Sequence, residues 1–234
     1  MIKAKHTNWA QYVWDYYLNR QFKKHFHAFY LVHPPSNLIR ENHSVLLLVN
    51  HSTWWDGFFL FWLNRKYLNK QIYLMMEEDQ LKKFPFFRRL GTYGVNRRNP
   101  GSLRASLDYS LQILSSPAEE NHMLAIFPQG VLEPSVKKPI RFQRGIDFLL
   151  HRIPQSMLIQ ILIIKIEYLR EQRPEVFFSF GEPLFWPSQE INSAFLEQKM
   201  NDQDSLLMNE IRSGQFGEQV FTGQTSIHKR FGMR

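Results

Sequence analysis

Five short, predominantly apolar runs constrain this chain more than any other feature: residues 44–49, 72–76, 123–127, 157–166 and 176–180. None is long enough for a membrane span, and none alternates apolar with polar residues as a strand with one wet face does. Runs of this kind form strands buried on both faces, and such a sheet requires helices above and below it. The intervening segments supply them. Residues 9–30 carry Trp9, Tyr12, Val13, Tyr16, Tyr17, Phe22, Phe26 and Phe29, mostly at helical spacings, among Arg20, Lys23 and Lys24. Residues 57–67 read as a helix rich in phenylalanine and leucine, and 80–90 as a helix interrupted by Pro85. Residues 91–95 read as a further short strand, 103–114 as an amphipathic helix after the Asn99-Pro100-Gly101 turn, and 145–151 as a short helix. Strand and helix alternate, so the expected fold is α/β: a mostly parallel central sheet flanked by helices, with an N-terminal amphipathic helix.

One core suffices for 234 residues, and the chain reads as one structural domain in three parts. Residues 1–40 form an aromatic and basic segment, suited either to packing on the core or to lying in a membrane headgroup layer. Residues 41–187 form the α/β core. Residues 188–234 are a polar extension, helical over 191–212, whose end is expected to fray. With no cysteine, disulfides and thiolate chemistry are excluded, and a cytoplasmic location is the simpler reading. The formal charge of +8 calls for an acidic partner: nucleic acid, an anionic membrane surface or a CoA thioester. No helix-turn-helix glycine, zinc spacing or ribonucleoprotein motif is present, so nucleic acid is not expected. No apolar run reaches the roughly 18 residues that a bilayer span needs. The nine histidines include no pair at helical spacing beside a carboxylate, so no metal is expected.

In open α/β sheets, ligands bind beyond the carboxyl ends of the strands. Three such places carry chemistry: His51 and Asp56; Asn96, Arg97 and Arg98; and Phe127, Pro128, Gln129 and Gly130. A histidine followed five positions later by an aspartate, across a strand-to-helix turn, can set the carboxylate against one ring nitrogen. The other nitrogen is then open to accept a proton. Taken alone, such a pair is more often a buried histidine with its hydrogen-bond partner, and Ser52 or Thr53 can simply cap the next helix.

The ordered set is more telling: His51 to Asp56, then Gly91 with Val95-Asn96-Arg97, then Phe127-Pro128-Gln129-Gly130, then Phe142-Gln143-Arg144-Gly145. It resembles the glycerolipid acyltransferase family that includes 1-acylglycerol-3-phosphate acyltransferases, whose first motif is histidine, any four residues, aspartate. The resemblance covers about residues 46–145. It implies transfer of a fatty acyl group from acyl-CoA or acyl carrier protein, a co-substrate rather than a permanently bound cofactor. The acceptor would be a hydroxyl of a lysophospholipid or glycolipid, and the site of action the cytoplasmic face of a membrane, reached peripherally. His51 is implied as general base, Asp56 as its orienting carboxylate, and Arg97 as a ligand of the acceptor, commonly through its phosphate. Phe127, Pro128, Gln129, Gly130 and Arg144 are implied as further substrate-binding residues.

The chain departs from the family pattern at several points. Gln129 stands where glutamate is commoner, keeping the shape and an acceptor but losing the charge. Leu132, followed by Glu133, stands where members acting on glycerol phosphate commonly carry arginine, and Arg144 stands where lysine is frequent. The strand at 159–166 lacks the usual internal proline. The acceptor therefore stays open between phosphate-bearing and glycosylated lipids. Backbone amides at the start of the helix after His51 are the expected oxyanion donors. Lys137, Lys138 and Arg141 are expected to meet CoA phosphates or headgroups. The rival reading is an acyltransferase-like protein that binds lipid or anionic surfaces without catalysis.

Overall fold

All five apolar runs are strands of one sheet in the computed structural model, which describes residues 1–117, 121–153, 156–169 and 171–224. The elements run α1 (Asn8–His25), β1 (Ala28–His33), β2 (Val45–Val49), α2 (Asp56–Leu63), β3 (Gln71–Glu77), α3 (Glu78–Lys83), β4 (Thr92–Val95) and α4 (Pro100–Leu114). They continue with β5 (His122–Ile126), α5 (Gly145–Leu150), β6 (Met157–Glu167), β7 (Glu175–Phe180), β8 (Leu184–Trp186), α6 (Ser193–Ser213) and β9 (Glu218–Thr222). The strands lie in the order β4-β3-β5-β2-β6-β7-β1-β9, with β8 beside β6. Every pairing from β4 across to β6 is parallel, as is β7 with β1, whereas β6 with β7, β6 with β8 and β1 with β9 are antiparallel. The fold is thus α/β with a mostly parallel sheet and an N-terminal helix.

The sheet is centred on β2, whose residues are all buried, with Val45 opposite Met123 of β5 on one side and Leu158 of β6 on the other. Successive side chains of a strand point to opposite faces. Val45, Leu47 and Val49 accordingly join a core with α1 and α2, while Leu46 and Leu48 join a second core with α4, α5 and α6. A strand sandwiched in this way must be apolar at every position.

The helix α1 buries Ala10, Trp14, Leu18 and Phe22, one residue in four. Phe22 stacks on Phe59 at 5.3 Å and meets Phe29 edge-on at 5.0 Å. Burial of such a ring contributes about 1.5–3 kcal/mol, so α1 is part of the core. Its opposite face leaves Trp9, Tyr12, Val13, Tyr16 and Tyr17 exposed.

Two segments differ from the sequence reading. The helix expected over 9–30 stops at His25, and residues 28–33 are the strand β1 between β7 and β9. Aromatic spacing compatible with a helix gives way there to pairing with two neighbouring strands, which tertiary context decides. The polar C-terminal stretch is also built into the sheet, because β9 pairs with β1. Its helix α6 is pinned to β6 by Asp204 and Lys165, both almost fully buried and 2.7 Å apart. Residues 225–234, where fraying is expected, lie outside the described residues. Pro85 acts as expected: α3 ends at Lys83 and a 3₁₀ turn, Pro85–Leu90, restarts the chain. No described helix is long and apolar enough to cross a membrane.

Candidate active site

At the carboxyl end of β2 the backbone must leave the sheet, and a side chain takes over its pairing. Asn50, buried, donates to the Ile164 carbonyl at 3.0 Å and accepts from the Ile164 amide at 2.7 Å. The ladder to β6 is thereby extended by one position while His51 turns outward. A second clamp comes from Gln129, whose Oε1 accepts the His51 amide at 2.7 Å. Its Nε2 donates to Glu133 at 3.0 Å, and the Glu133 amide closes the circuit on the His51 carbonyl at 3.0 Å.

The side chains of His51 and Asp56 meet across the five-residue turn. His51 Nδ1 lies 2.9 Å from Asp56 Oδ2. A carboxylate only accepts, so the imidazole proton sits on Nδ1 and Nε2 presents a lone pair. The same Oδ2 also accepts the Ser52 amide at 2.8 Å and the Thr53 amide at 2.9 Å, and Oδ1 accepts the Thr53 hydroxyl at 2.7 Å. Asp56 is fully buried and begins α2, where the partial positive charge of a helix N-terminus favours a carboxylate. Removing it from water is offset by four donors. His51 Nε2 has no hydrogen bond among the described residues, and the ring stacks on Phe127 with centroids 4.1 Å apart and planes 17° from parallel.

His51 opens into a groove of about 500 Å³. Its walls are mainly apolar: Phe58 and Phe61 of α2, Leu74 and Met76 of β3, and Phe84 and Phe87. Behind this wall Trp14 of α1 packs edge-on against Phe58 at 5.0 Å and Phe87 at 5.2 Å. Trp54, exposed, and Leu132 also line the groove, as do Arg97, Phe127 and Gly130. Arg97 donates through Nε to Glu77 and through Nη1 to the Gly130 carbonyl. Gly130 has φ +68°, and a Cβ there would meet Gln143 Cγ at 2.9 Å, so glycine is favoured and any other residue is strained.

The structure thus brings His51, Asp56, Arg97, Phe127 and Gly130 together at the groove, with Gln129 buried behind it. Pro128 contributes its carbonyl to the Gln143 amide at 2.8 Å and does not line the groove. Arg144 is exposed at the start of α5, also outside it, while its neighbour Gln143 touches the motif by donating to the Gln129 carbonyl at 3.2 Å. The expected oxyanion donors are largely committed elsewhere: the amides of Ser52 and Thr53 bind Asp56, that of Trp55 binds the Thr53 hydroxyl, and that of Asp56 binds the Thr53 carbonyl. The three bases expected to meet phosphates are each paired, Lys137 with Glu133, Lys138 with Asp204 and Arg141 with Glu197. The Lys137 and Gln129 hydrogen bonds hold the Glu133 carboxyl below its usual range. Sequence reasoning missed the roles of Asn50, Thr53 and Glu77. It also missed the groove wall, although Trp54, Phe58 and Phe61 recur at helical spacing.

The site is thus a histidine at the end of a strand, paired with a buried carboxylate and facing an apolar groove. The sequence model of the Acyltransferase family matches residues 31–166, more than half of the chain, and the chain belongs to that family. Among solved structures it is similar in fold to the 1-acyl-sn-glycerophosphate (LPA) acyltransferase PlsC from Thermotoga maritima. That match has a TM-score of 0.53 and 12% identity, covering 87% of this chain and 79% of that one. No curated protein sequence matches the chain.

Proposed function

We propose that the protein moves a fatty acyl group from a CoA or carrier-protein thioester to a hydroxyl of a glycerolipid-type acceptor at a membrane surface. The observation that carries this is the His51–Asp56 pair, its unbonded Nε2 facing an apolar groove. Nε2 takes the hydroxyl proton as the acceptor oxygen attacks the thioester carbon, and Asp56 stabilises the imidazolium. Collapse of the tetrahedral intermediate breaks the carbon–sulfur bond, and the imidazolium returns its proton to the thiolate. An ester and a free thiol result. The groove's phenylalanines suit an acyl chain, which gains about 0.8 kcal/mol per buried methylene.

Membrane contact is supported by α1. Its exposed Trp9, Tyr12, Tyr16 and Tyr17 are followed by exposed Arg20, Lys23 and Lys24, a composition that rests at the level of lipid headgroups. Acyl-CoA and acyl carrier protein are cytoplasmic donors, and dependence on either supports that face of the membrane as the site of action.

The test is thiol release coupled to acylated-lipid formation, using palmitoyl-CoA and palmitoyl carrier protein with mixed lysolipid acceptors. His51→Ala is expected to abolish both signals while leaving the circular dichroism spectrum intact; full turnover by that variant would overturn the proposal. Cosedimentation with anionic vesicles is expected to fall when Tyr12 and Tyr16 become serine.

A further inference from the structure

The charge balance of the groove speaks to the acceptor, and this inference rests on the acyl-transfer reading above. Among the described residues lining it, the only formally charged side chains are Glu77 and Arg97, and they are paired with each other. Arg97 uses Nε on that carboxylate and Nη1 on the Gly130 carbonyl, so two of the N–H groups with which a guanidinium grips a phosphate are spent. The amides of Ser52 and Thr53, next to the catalytic histidine, are spent on Asp56, itself an anion. Of the basic residues in the motif segments outside the groove lining, Lys137, Lys138 and Arg141 are held by Glu133, Asp204 and Glu197, and Arg98 and Arg144 are exposed.

A phosphomonoester carries close to two negative charges and binds where unpaired cations or backbone N–H groups converge. In charged side chains this groove offers it only a neutral ion pair and a second carboxylate behind the histidine. Hydroxyl groups meet the opposite situation. Glu77 keeps Oε2 unbonded, and Gln80 also lines the groove, so the groove into which His51 opens holds acceptors for O–H donors.

We infer that the acceptor is an uncharged lipid whose headgroup presents several hydroxyls, a glycerol or sugar, and not a phosphomonoester. Glu77 binds that headgroup and at the same time neutralises Arg97.

The experiment compares matched palmitoyl acceptors, monoacylglycerol, its glycosylated form and lysophosphatidic acid, using palmitoyl-CoA and palmitoyl carrier protein as donors. The wild-type protein is expected to favour an uncharged acceptor over lysophosphatidic acid by at least about tenfold in kcat/KM. Glu77→Gln is expected to raise kcat/KM for lysophosphatidic acid, through a lower KM, and to lower it for the uncharged acceptor. Preference of the wild-type protein for lysophosphatidic acid overturns the inference, whatever the variant does. Turnover of none of these acceptors, with His51-dependent cleavage of the donor persisting, also overturns it while leaving acyl-thioester chemistry standing. Absence of any His51-dependent cleavage overturns both.

Discussion

Replacing Asp56 with asparagine removes one charge while nearly preserving shape, and the surroundings decide which way the new amide turns. At the position of Oδ2 three N–H groups converge, from His51, Ser52 and Thr53, at 2.9, 2.8 and 2.9 Å. An NH₂ group there would face three donors, so the amide oxygen must occupy it. The NH₂ then meets Thr53 Oγ1, now 2.7 Å from Oδ1, whose hydroxyl can turn and accept. His51 therefore keeps its Nδ1 proton and its working tautomer. In serine protease triads the equivalent change costs about 10⁴ in kcat because the tautomer is lost. Here only the attraction for the imidazolium disappears. Two unit charges roughly 4 Å apart at an effective dielectric of about 20 attract by about 4 kcal/mol. The amide dipole retains part of this, so kcat is expected to fall by about 10² to 10³ with KM little changed. Thiol release at saturating donor and acceptor, measured beside Asp56→Ala and His51→Ala, reads the effect. A loss equal to that of His51→Ala would refute the pinned-oxygen argument, and wild-type turnover would refute imidazolium formation itself.

Asn50→Ala leaves the Ile164 amide and carbonyl unpaired in the sheet interior, and is expected to cost about 2–4 kcal/mol in urea unfolding. A loss under about 1 kcal/mol would show that the ladder ends without its help. Gln129→Glu places a carboxylate against Glu133 and is expected to lower the melting temperature at about pH 8. The folded-state pKa of that carboxyl pair would be raised, so the deficit is present above it and fades as pH falls through it, and adding Glu133→Gln should recover the lost stability. Burial of Lys70, which donates to the Glu41 and His43 carbonyls, pulls its ammonium down to about 8 from 10.5. Between those values the unfolded chain holds a proton that the folded one lacks, so stability should rise with pH there, and Lys70→Met should flatten that slope in pH-dependent urea midpoints.

The buried strands were legible in the sequence because burial on both faces leaves a continuous apolar signature, as in β2, β5 and β7. The strand β1 was not, because Phe26 and Phe29 continue the aromatic spacing of α1 and only the pairing partners distinguish strand from helix. The strand β9, half exposed at the sheet edge, carries too little apolar content to announce itself. At the site, His51 and Asp56 could be paired from spacing because both lie on one turn. Arg97 and Glu77 could not, since residues 20 apart are brought together only by the parallel neighbours β3 and β4. Arg144, the residue before α5, is exposed and outside the groove, and the contact with the 127–130 motif falls to Gln143.

Phe127 has a consequence of its own for selectivity. One face of the imidazole is covered by a phenyl ring, and one nitrogen is tethered to a carboxylate. These two contacts hold the ring in one orientation, so that the in-plane lone pair of Nε2 has a fixed direction. Of several hydroxyls of equal intrinsic reactivity on one headgroup, the proposed reaction would esterify the one whose oxygen reaches Nε2 along that direction. Under the proposed reaction, the regiochemistry of the product then rests in part on a hydrocarbon side chain that takes no part in making or breaking a bond.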